Sequence, residues 1–439
     1  MKSQIVYESK EECLDHKYLK INKYNLKIPT VFSLQEAKTK LIDHYNDSLK
    51  LQKAKLNTFE YIMLNHEGGA IYIDIKNNEI DYTALINMNF VNRWYKFLPI
   101  KNPYKYIKTK ELNINKPIFN RGFKLRQKNK WTKTGPKINM FDYKQVFTSY
   151  QYELIDLLQE TAKKYKLNNT CFIIWCKDIP LMSQSGIDIF LPKFRWNHNN
   201  KRYLPILSQS TIYSPKFYDI PIINADEWRA FRRKYIPGEC KFDDINAIKN
   251  VPWNNKIEKG FFRGKMTGNT NDLTNKRLLI TVMTEKYPDY LDAGISGEYM
   301  YHDKIDLQGN LSYFNIKYMK NIKKLSWVDM ADFSEYKYIL NIEGNGLAYR
   351  KSFLFYLKSV VLNVESKYKS WFDDLLEPYV HYIPIKEDLS DLIDIIKWCK
   401  EHDSECKKIA ENGYNFAKEY LCYDNALNFM QLLINSLIP

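Results

Sequence analysis

The stretch YKYILNIEGNGLAYRKSFLFYLKSVVLNVE, Tyr336 to Glu365, joins an apolar run to a Gly344-Asn345-Gly346 turn and then a helical pattern, Leu347 to Lys358, with Arg350 in its first turn. Two close glycines permit a tight turn and a near approach of backbone to ligand. First-turn N–H groups and the helix dipole favour an anion there, and Arg350 adds a guanidinium fork for a phosphate. A nicotinamide-type dinucleotide fold would want a third glycine where Tyr349 stands. The Gly-x-Gly spacing by itself is therefore weak, and glycines that only cap a strand beside a surface arginine would read the same way.

Three further places carry chemistry-bearing residues after apolar runs. GFFRGKMTG, Gly260 to Gly268, offers Arg263, Lys265 and Thr267 as a second set of phosphate ligands, although an ordinary basic turn has the same composition. CFIIWCKDIP, Cys171 to Pro180, places Asp178 just past a buried run, where a carboxylate can take the proton of an attacking hydroxyl or simply form an Asx-turn before the proline. YVHYIPIKEDLSD, Tyr379 to Asp391, ends in Asp388, an N-cap first and a hydroxyl contact second, while His381 reads as a satisfied histidine of an alternating strand.

The elements that must position these residues follow from periodicity. Tyr150 to Tyr165 has helical spacing and Cys171 to Trp175 is a short buried strand; Pro180 to Asn250 is irregular apart from Tyr203 to Leu207 and Tyr218 to Ile223. The second half alternates strands at Gly260 to Phe262, Tyr338 to Ile342, Val360 to Val364 and Tyr379 to Ile385 with helices at Leu278 to Thr284, Leu392 to His402 and Cys406 to Tyr420. Asp388 or Ser390, and Asp403 or Ser404, are the natural N-caps of the last two helices. Strands alternating with helices predict α/β architecture on parallel sheets, with ligands beyond the carboxyl ends of the strands. Residues 1 to 140 carry no identifiable chemistry beyond a strand-like run at Ala70 to Ile75, and end in the basic linker-like run Lys124 to Lys137.

At 439 residues the chain has room for two or three domains, and 45% hydrophobic content supplies their cores. The balance of 66 basic against 51 acidic residues, a net +15, favours anionic partners without choosing among them, and much of it is lysine scattered as on a solvated face. The seven cysteines show no C-x-x-C pair, which predicts reduced thiols rather than a disulfide frame or zinc site. The amino terminus has no apolar signal region and no later run approaches membrane-spanning length, so a cytoplasmic protein without a transmembrane segment is expected.

Together the segments Pro252 to Gly268, Tyr336 to Ser366, Trp371 to Leu392 and Ile409 to Ala417 resemble the capsule-associated glycosyltransferase family that includes the Rumi-type protein O-glucosyltransferases. The resemblance is firm over residues 250 to 420, thinner over 171 to 221 and absent over the first 140. It implies a GT-B fold of two Rossmann-like domains facing across a cleft: an acceptor-side domain over 141–250, a donor-binding domain over 251–415 and a carboxyl-terminal helix over 416–439 crossing back, behind an extension over 1–140. It also implies a UDP-glucose or UDP-xylose donor, inversion at the anomeric carbon, no metal or other cofactor, and a glycan, lipid-linked glycan or protein acceptor.

By the same resemblance Asp178 is the catalytic base and Arg350 holds the donor diphosphate. Asn345, Gly346, Leu347, Ala348 and Tyr349 form the turn around it, with Arg263, Lys265, Thr267, Glu365 and Asp388 completing the donor site. Animal members carry Ser-Arg after Phe-Arg-Gly where this chain has Lys265-Met266, so a lysine point charge stands for the second fork. The competing expectation is a non-catalytic protein that binds nucleic acid or another polyanion; under the transferase reading no specific nucleic acid is expected, and the basic surface suits a peripheral membrane contact.

Overall fold

The computed structural model describes residues 51, 54, 58, 62, 70–85, 149–177, 180–181, 203–212, 219–232, 245–268, 275–296, 304–305, 311–312 and 324–437. The Lys124 to Lys137 run lies outside them. The described residues fall into two compact units, one holding those from 51 to 228 together with 427–437, the other 229–232 and those from 245 to 426.

The first unit is built on a five-stranded sheet in the order β2-β1-β3-β4-β5, where β1 is Ala70–Lys76, β2 Glu79–Leu85, β3 Thr170–Trp175, β4 Ile206–Ser208 and β5 Ile220–Pro221. β3, β4 and β5 are parallel, and β1 runs antiparallel to β3. The hairpin β1–β2 turns at Asn77 and Asn78, both with positive φ, a conformation asparagine tolerates well. These two strands fall in the region expected to be a separate extension; here they complete the same sheet as β3.

Every residue of β3 is buried, and helix α1, Ser149–Lys164, supplies Leu154, Leu157 and Leu158 to the unit's interior. Helix α2, Ala225–Arg232, opens with a reciprocal cap. The Asn224 N–H donates to Glu227 Oε2 (3.1 Å) and the Glu227 N–H to Asn224 Oδ1 (2.9 Å), which satisfies two end donors that helix geometry leaves open.

The second unit has an all-parallel five-stranded sheet of β6 Ile257–Gly264, β7 Leu291–Ile295, β8 Tyr336–Asn341, β9 Val360–Val364 and β10 Ile383–Ile385, in the order β10-β9-β8-β6-β7. Counted from its first strand this is 2-1-3-4-5, so the order reverses between β6 and β8. A switch point of this kind is where open parallel α/β sheets bind their ligands.

Helix α3, Lys276–Lys286, links β6 to β7, and the short α4, Lys351–Phe355, links β8 to β9. Helices α5, Leu392–Glu401, α6, Asp403–Tyr420, and α7, Tyr423–Ser436, follow β10. Alternate residues Tyr338 and Leu340 of β8 and Val360, Leu362 and Val364 of β9 share one core with Ile395, Ile396 and Ile409 of α5 and α6. Phe261, Ile339 and Val361, from the alternating positions, are fully buried as well, so the strands are covered on both faces as a parallel sheet requires.

Three elements differ from the expectation. The helix after the Gly-Asn-Gly turn begins at Lys351 rather than Leu347 and ends after five residues, because Lys358 takes a positive φ that returns the chain to β9. β10 starts at Ile383 and not at Tyr379, whose φ of +58° is incompatible with an extended strand. The N-cap position of α5 is Asp391, one to three residues after those expected, and that of α6 is His402, one or two before.

Candidate functional site

In the second unit the two loops at the switch point are Lys265 to Gly268 after β6 and Ile342 to Gly346 after β8. They are fastened to each other. The Gly268 N–H donates to Asn345 Oδ1 (3.1 Å), and Gly344 packs so tightly that a Cβ there would lie 2.5 Å from Thr267 Oγ1. Gly268 has a φ of +113°, open to glycine at little cost. The two glycine motifs thus serve one joint.

The joint is filled by Arg277, which the sequence reading passed over. It is 6% exposed and donates four hydrogen bonds: Nε to the Glu343 carbonyl (3.0 Å), Nη1 to the Lys265 carbonyl (2.8 Å) and Thr267 Oγ1 (2.7 Å), and Nη2 to the Ile342 carbonyl (3.0 Å). Among the described residues it forms no ion pair. Burial, with the nearby Arg350 charge next and Glu343 opposing, pushes its pKa down to about 9. Arg350 lies against the same aromatic ring: its guanidinium carbon is 5.3 Å and that of Arg277 5.5 Å from the Phe262 ring centroid, and Arg350 Nη1 donates to the Arg263 carbonyl (2.6 Å). Two guanidinium groups that repel one another at the switch point of a parallel sheet form a positive site suited to an anion.

One sequence signal could have found Arg277. It and Lys276 occupy the first turn of α3, where the helix dipole disfavours cations, and that turn holds no acidic residue. Asn275 caps the helix by accepting from the Arg277 and Leu278 N–H groups, which fixes where both cations point. Lys276 gathers the ends of three strands, donating to Glu343 Oε1 (2.8 Å) and the Glu365 carbonyl (3.0 Å) and pairing with Glu387 (3.0 Å).

The residues chosen from sequence are distributed unevenly about this joint. Arg263 alternates with Phe262 along β6, so it lies on the opposite sheet face. There it pairs with Asp292 (2.5 Å), donates to the Asp292 carbonyl (2.8 Å) and covers the Phe261 ring (4.7 Å). Asp292 also accepts from the Tyr336 hydroxyl, which holds the carboxylate against Arg263. Lys265 is exposed, and its ammonium bonds to none of the described residues. Gly346 accepts from the Gly344 N–H, and Tyr349 sits half-buried in the turn before α4.

Glu365 and Asp388 are exposed at the ends of β9 and β10. The Ser390 N–H bonded to Asp388 Oδ1 holds that carboxyl below its usual range, so Asp388 organises a turn three residues before the cap position Asp391. His381 is buried, with Nδ1 accepting from the Glu377 N–H (3.0 Å).

Beside the joint is a cavity of about 170 Å³ lined by Leu347 and Ala348 of the turn, Asn341 and Asn363 of the neighbouring strand ends, Glu343 and Tyr382. Its ionic groups are neutralised internally: Lys351 pairs with Asp373 (2.8 Å), Lys369 with Asp374, and Glu343 with Lys276 and the Ser366 hydroxyl. Asn341 donates to Asn363 Oδ1 (2.8 Å), while its own buried Oδ1 has no partner among the described residues. The cavity is polar and the joint beside it is cationic.

In the first unit Asp178 lies outside the described residues, but both flanks of its segment are fixed: Trp175 ends β3, and the Leu181 N–H donates to Asp219 Oδ1 (2.7 Å).

Residues 134–437 match the model of Glycosyl transferase family 90. The chain belongs to that family. Among its relatives are the uncharacterized protein 035R of Invertebrate iridescent virus 3, 28% identical over 87% of this chain and 36% of the viral protein, and human protein O-glucosyltransferase 3, 37% identical over 40% of this chain and 31% of the human one. This chain spans about a third of the length of those relatives. Among solved structures, Anabaena HepE in complex with UDP is similar over 44% of this chain and 56% of its own, at 14% identity and a TM-score of 0.32, too loose a likeness to bear on how the two units are arranged.

Proposed function

We propose that this family 90 chain is an inverting glycosyltransferase that moves glucose or xylose from a UDP-sugar to a hydroxyl of a glycan, a lipid-linked glycan or a protein. The pair of guanidinium groups at the switch point carries the reading, because a nucleoside diphosphate is an anion that binds at such a point and leaves as an anion when its bond to the sugar breaks. The names of the animal relatives favour glucose and a protein acceptor.

In this reading the two α/β units are the halves of a GT-B enzyme. The diphosphate lies against Arg350, with the Arg277 charge behind it and the exposed Lys265 ammonium in reach. The neighbouring cavity, polar but internally neutralised, suits an uncharged hydroxyl-bearing part of the donor. The acceptor oxygen attacks the anomeric carbon from the face opposite the leaving UDP, the bond between that carbon and the phosphate oxygen breaks, and Asp178 takes the acceptor proton.

A panel of UDP-sugars and other nucleotides, read first by thermal shift and then by UDP release, tests the donor. Arg350→Ala should weaken UDP binding at least tenfold, about 1.5 kcal/mol or more, as loss of a charged hydrogen-bond donor does. Unchanged UDP affinity would place the diphosphate elsewhere. A chain that ignores every nucleotide sugar yet binds oligonucleotides with steep salt dependence would be a polyanion-binding protein instead.

A further inference from the structure

We infer that Glu343 is a specificity-determining residue whose carboxylate accepts hydrogen bonds from a vicinal diol of the donor, beside the diphosphate. The inference rests on the UDP-sugar reading of the joint. Glu343 stands two residues past β8 and belongs to both features found there. Its backbone carbonyl accepts from Arg277 Nε in the joint, and its side chain, 17% exposed, lines the neighbouring cavity. A ligand held at the joint and extending into the cavity passes this carboxylate.

The carboxylate is oriented from two sides. Lys276 Nζ donates to Oε1 (2.8 Å) and the Ser366 hydroxyl to Oε2, and Ser366 Oγ is itself held by the Tyr368 N–H (3.0 Å). An ionised carboxylate has about four lone-pair sites, so one bond to each oxygen leaves each able to accept another. The rest of the wall calls for the same class of ligand. Its lysines are engaged, Lys351 with Asp373 and Lys369 with Asp374, which disfavours an anion in the cavity. Asn341, 6% exposed, keeps an Oδ1 without a partner among the described residues, and a buried acceptor left open is costly. Acceptors in want of donors beside neutralised cations suit an uncharged polyol. Two adjacent hydroxyls can donate one to each oxygen of a single carboxylate, and bonds to a charged acceptor are the stronger ones.

A nucleoside diphosphate sugar carries such a diol on either side of its diphosphate, in the ribose and in the transferred sugar. The transferred sugar must stay open to an attacking oxygen, whereas the ribose takes no part in bond exchange and can be enclosed. The ribose is therefore the expected source.

Calorimetry on the full chain, without acceptor, compares UDP with 2′-deoxy-UDP and UDP-glucose with its 2-deoxyglucose analogue. UDP should bind the parent about tenfold tighter than 2′-deoxy-UDP, the loss expected when a hydroxyl bonded to a charged acceptor is removed. Glu343→Gln should cut that preference about fivefold or more, because a neutral acceptor bonds more weakly and the amide nitrogen cannot accept. Removing a negative charge beside the diphosphate acts on both ligands alike and cancels in the ratio. If the Gln variant does not fold, Ser366→Ala frees Oε2 with the charge in place and should lower the same ratio severalfold. A preference confined to the glucose pair and lost in Glu343→Gln would support the role of the carboxylate with the transferred sugar as the source of the diol.

Equal affinities within both pairs in the parent, or a preference that survives Glu343→Gln or Ser366→Ala, would overturn the inference and leave Glu343 as a brace between strand ends. Arg350→Ala separates the two levels. A parent that binds no UDP removes the donor reading and the role of Glu343 together, whereas one that binds UDP, loses it in Arg350→Ala and shows no hydroxyl preference removes only the role of Glu343.

Discussion

The two sheets secure the carboxyl ends of their strands with opposite charges. In the 2-1-3-4-5 sheet the tie is Arg277, a buried guanidinium that donates to three carbonyls and a hydroxyl on two loops. In the other sheet it is Asp219, a buried carboxylate that accepts from a hydroxyl and a backbone N–H. Both meet the rule that buried charge must be hydrogen-bonded, so stability alone does not choose the sign. The chemistry proposed for the 2-1-3-4-5 sheet does, since a cationic tie adds to the field that holds a diphosphate.

The largest effect should come from removing the cationic tie. Arg277→Leu leaves the Ile342, Glu343 and Lys265 carbonyls without their donor, and should lower the unfolding free energy by about 3 kcal/mol in urea melts while abolishing measurable UDP binding. If UDP affinity survived in a folded Arg277→Leu protein, the contrast in sign would be structural only. Arg277→Lys, a point charge with one nitrogen, should recover part of the stability and little of the binding.

Next in size is the joint itself. Gly344→Ala drives a methyl to 2.5 Å from Thr267 Oγ1 and 3.1 Å from Arg277 Nη2, both parts of one cross-braced network that cannot yield singly. A cost of about 1–3 kcal/mol is expected, seen as a lower melting temperature together with weaker UDP binding. A neutral outcome would show that the loops slide past one another and that the brace is loose.

The smallest effect lies at the opposite ends of the same strands. Lys256 is buried there, and its bonds among the described residues go to neutral oxygens, the Ser334 and Leu357 carbonyls and Ser359 Oγ; burial, with Lys358 adding, pushes its pKa down from 10.5 to about 8. Between these values the unfolded chain holds a proton that the folded chain has shed, so stability rises with pH, by at most ~1 kcal/mol per pH unit. Denaturant melts from pH 8 to 10 should show that slope in the parent and its loss in Lys256→Met. Equal slopes would mean that the Lys256 ammonium is as well solvated folded as unfolded.

Legibility in the sequence followed how local each constraint is. The parallel strands β8 and β9 were readable within two residues, because both faces are buried and the apolar run is continuous. β7, Leu-Asp-Ala-Gly-Ile, was not, since its aspartate and glycine break the run and only the Arg263–Asp292 pair and close packing explain them. Gly344, Asn345 and Arg350 stood out as residue types with few other uses. Arg263 looked equivalent to Arg350, yet the two-residue period of a strand sends it to the other face.

The order of residues along the chain determined the α/β class, the glycine turns and the cations near them, because each rests on neighbours within a few positions. Tertiary structure decided which of those cations share a site. Arg277 meets a hydroxyl 10 residues away and carbonyls 12, 65 and 66 residues away, and Asp219 meets an amide 38 residues before it. Contacts of that span depend on strand order and on which face each side chain takes, and these are set when the sheets assemble.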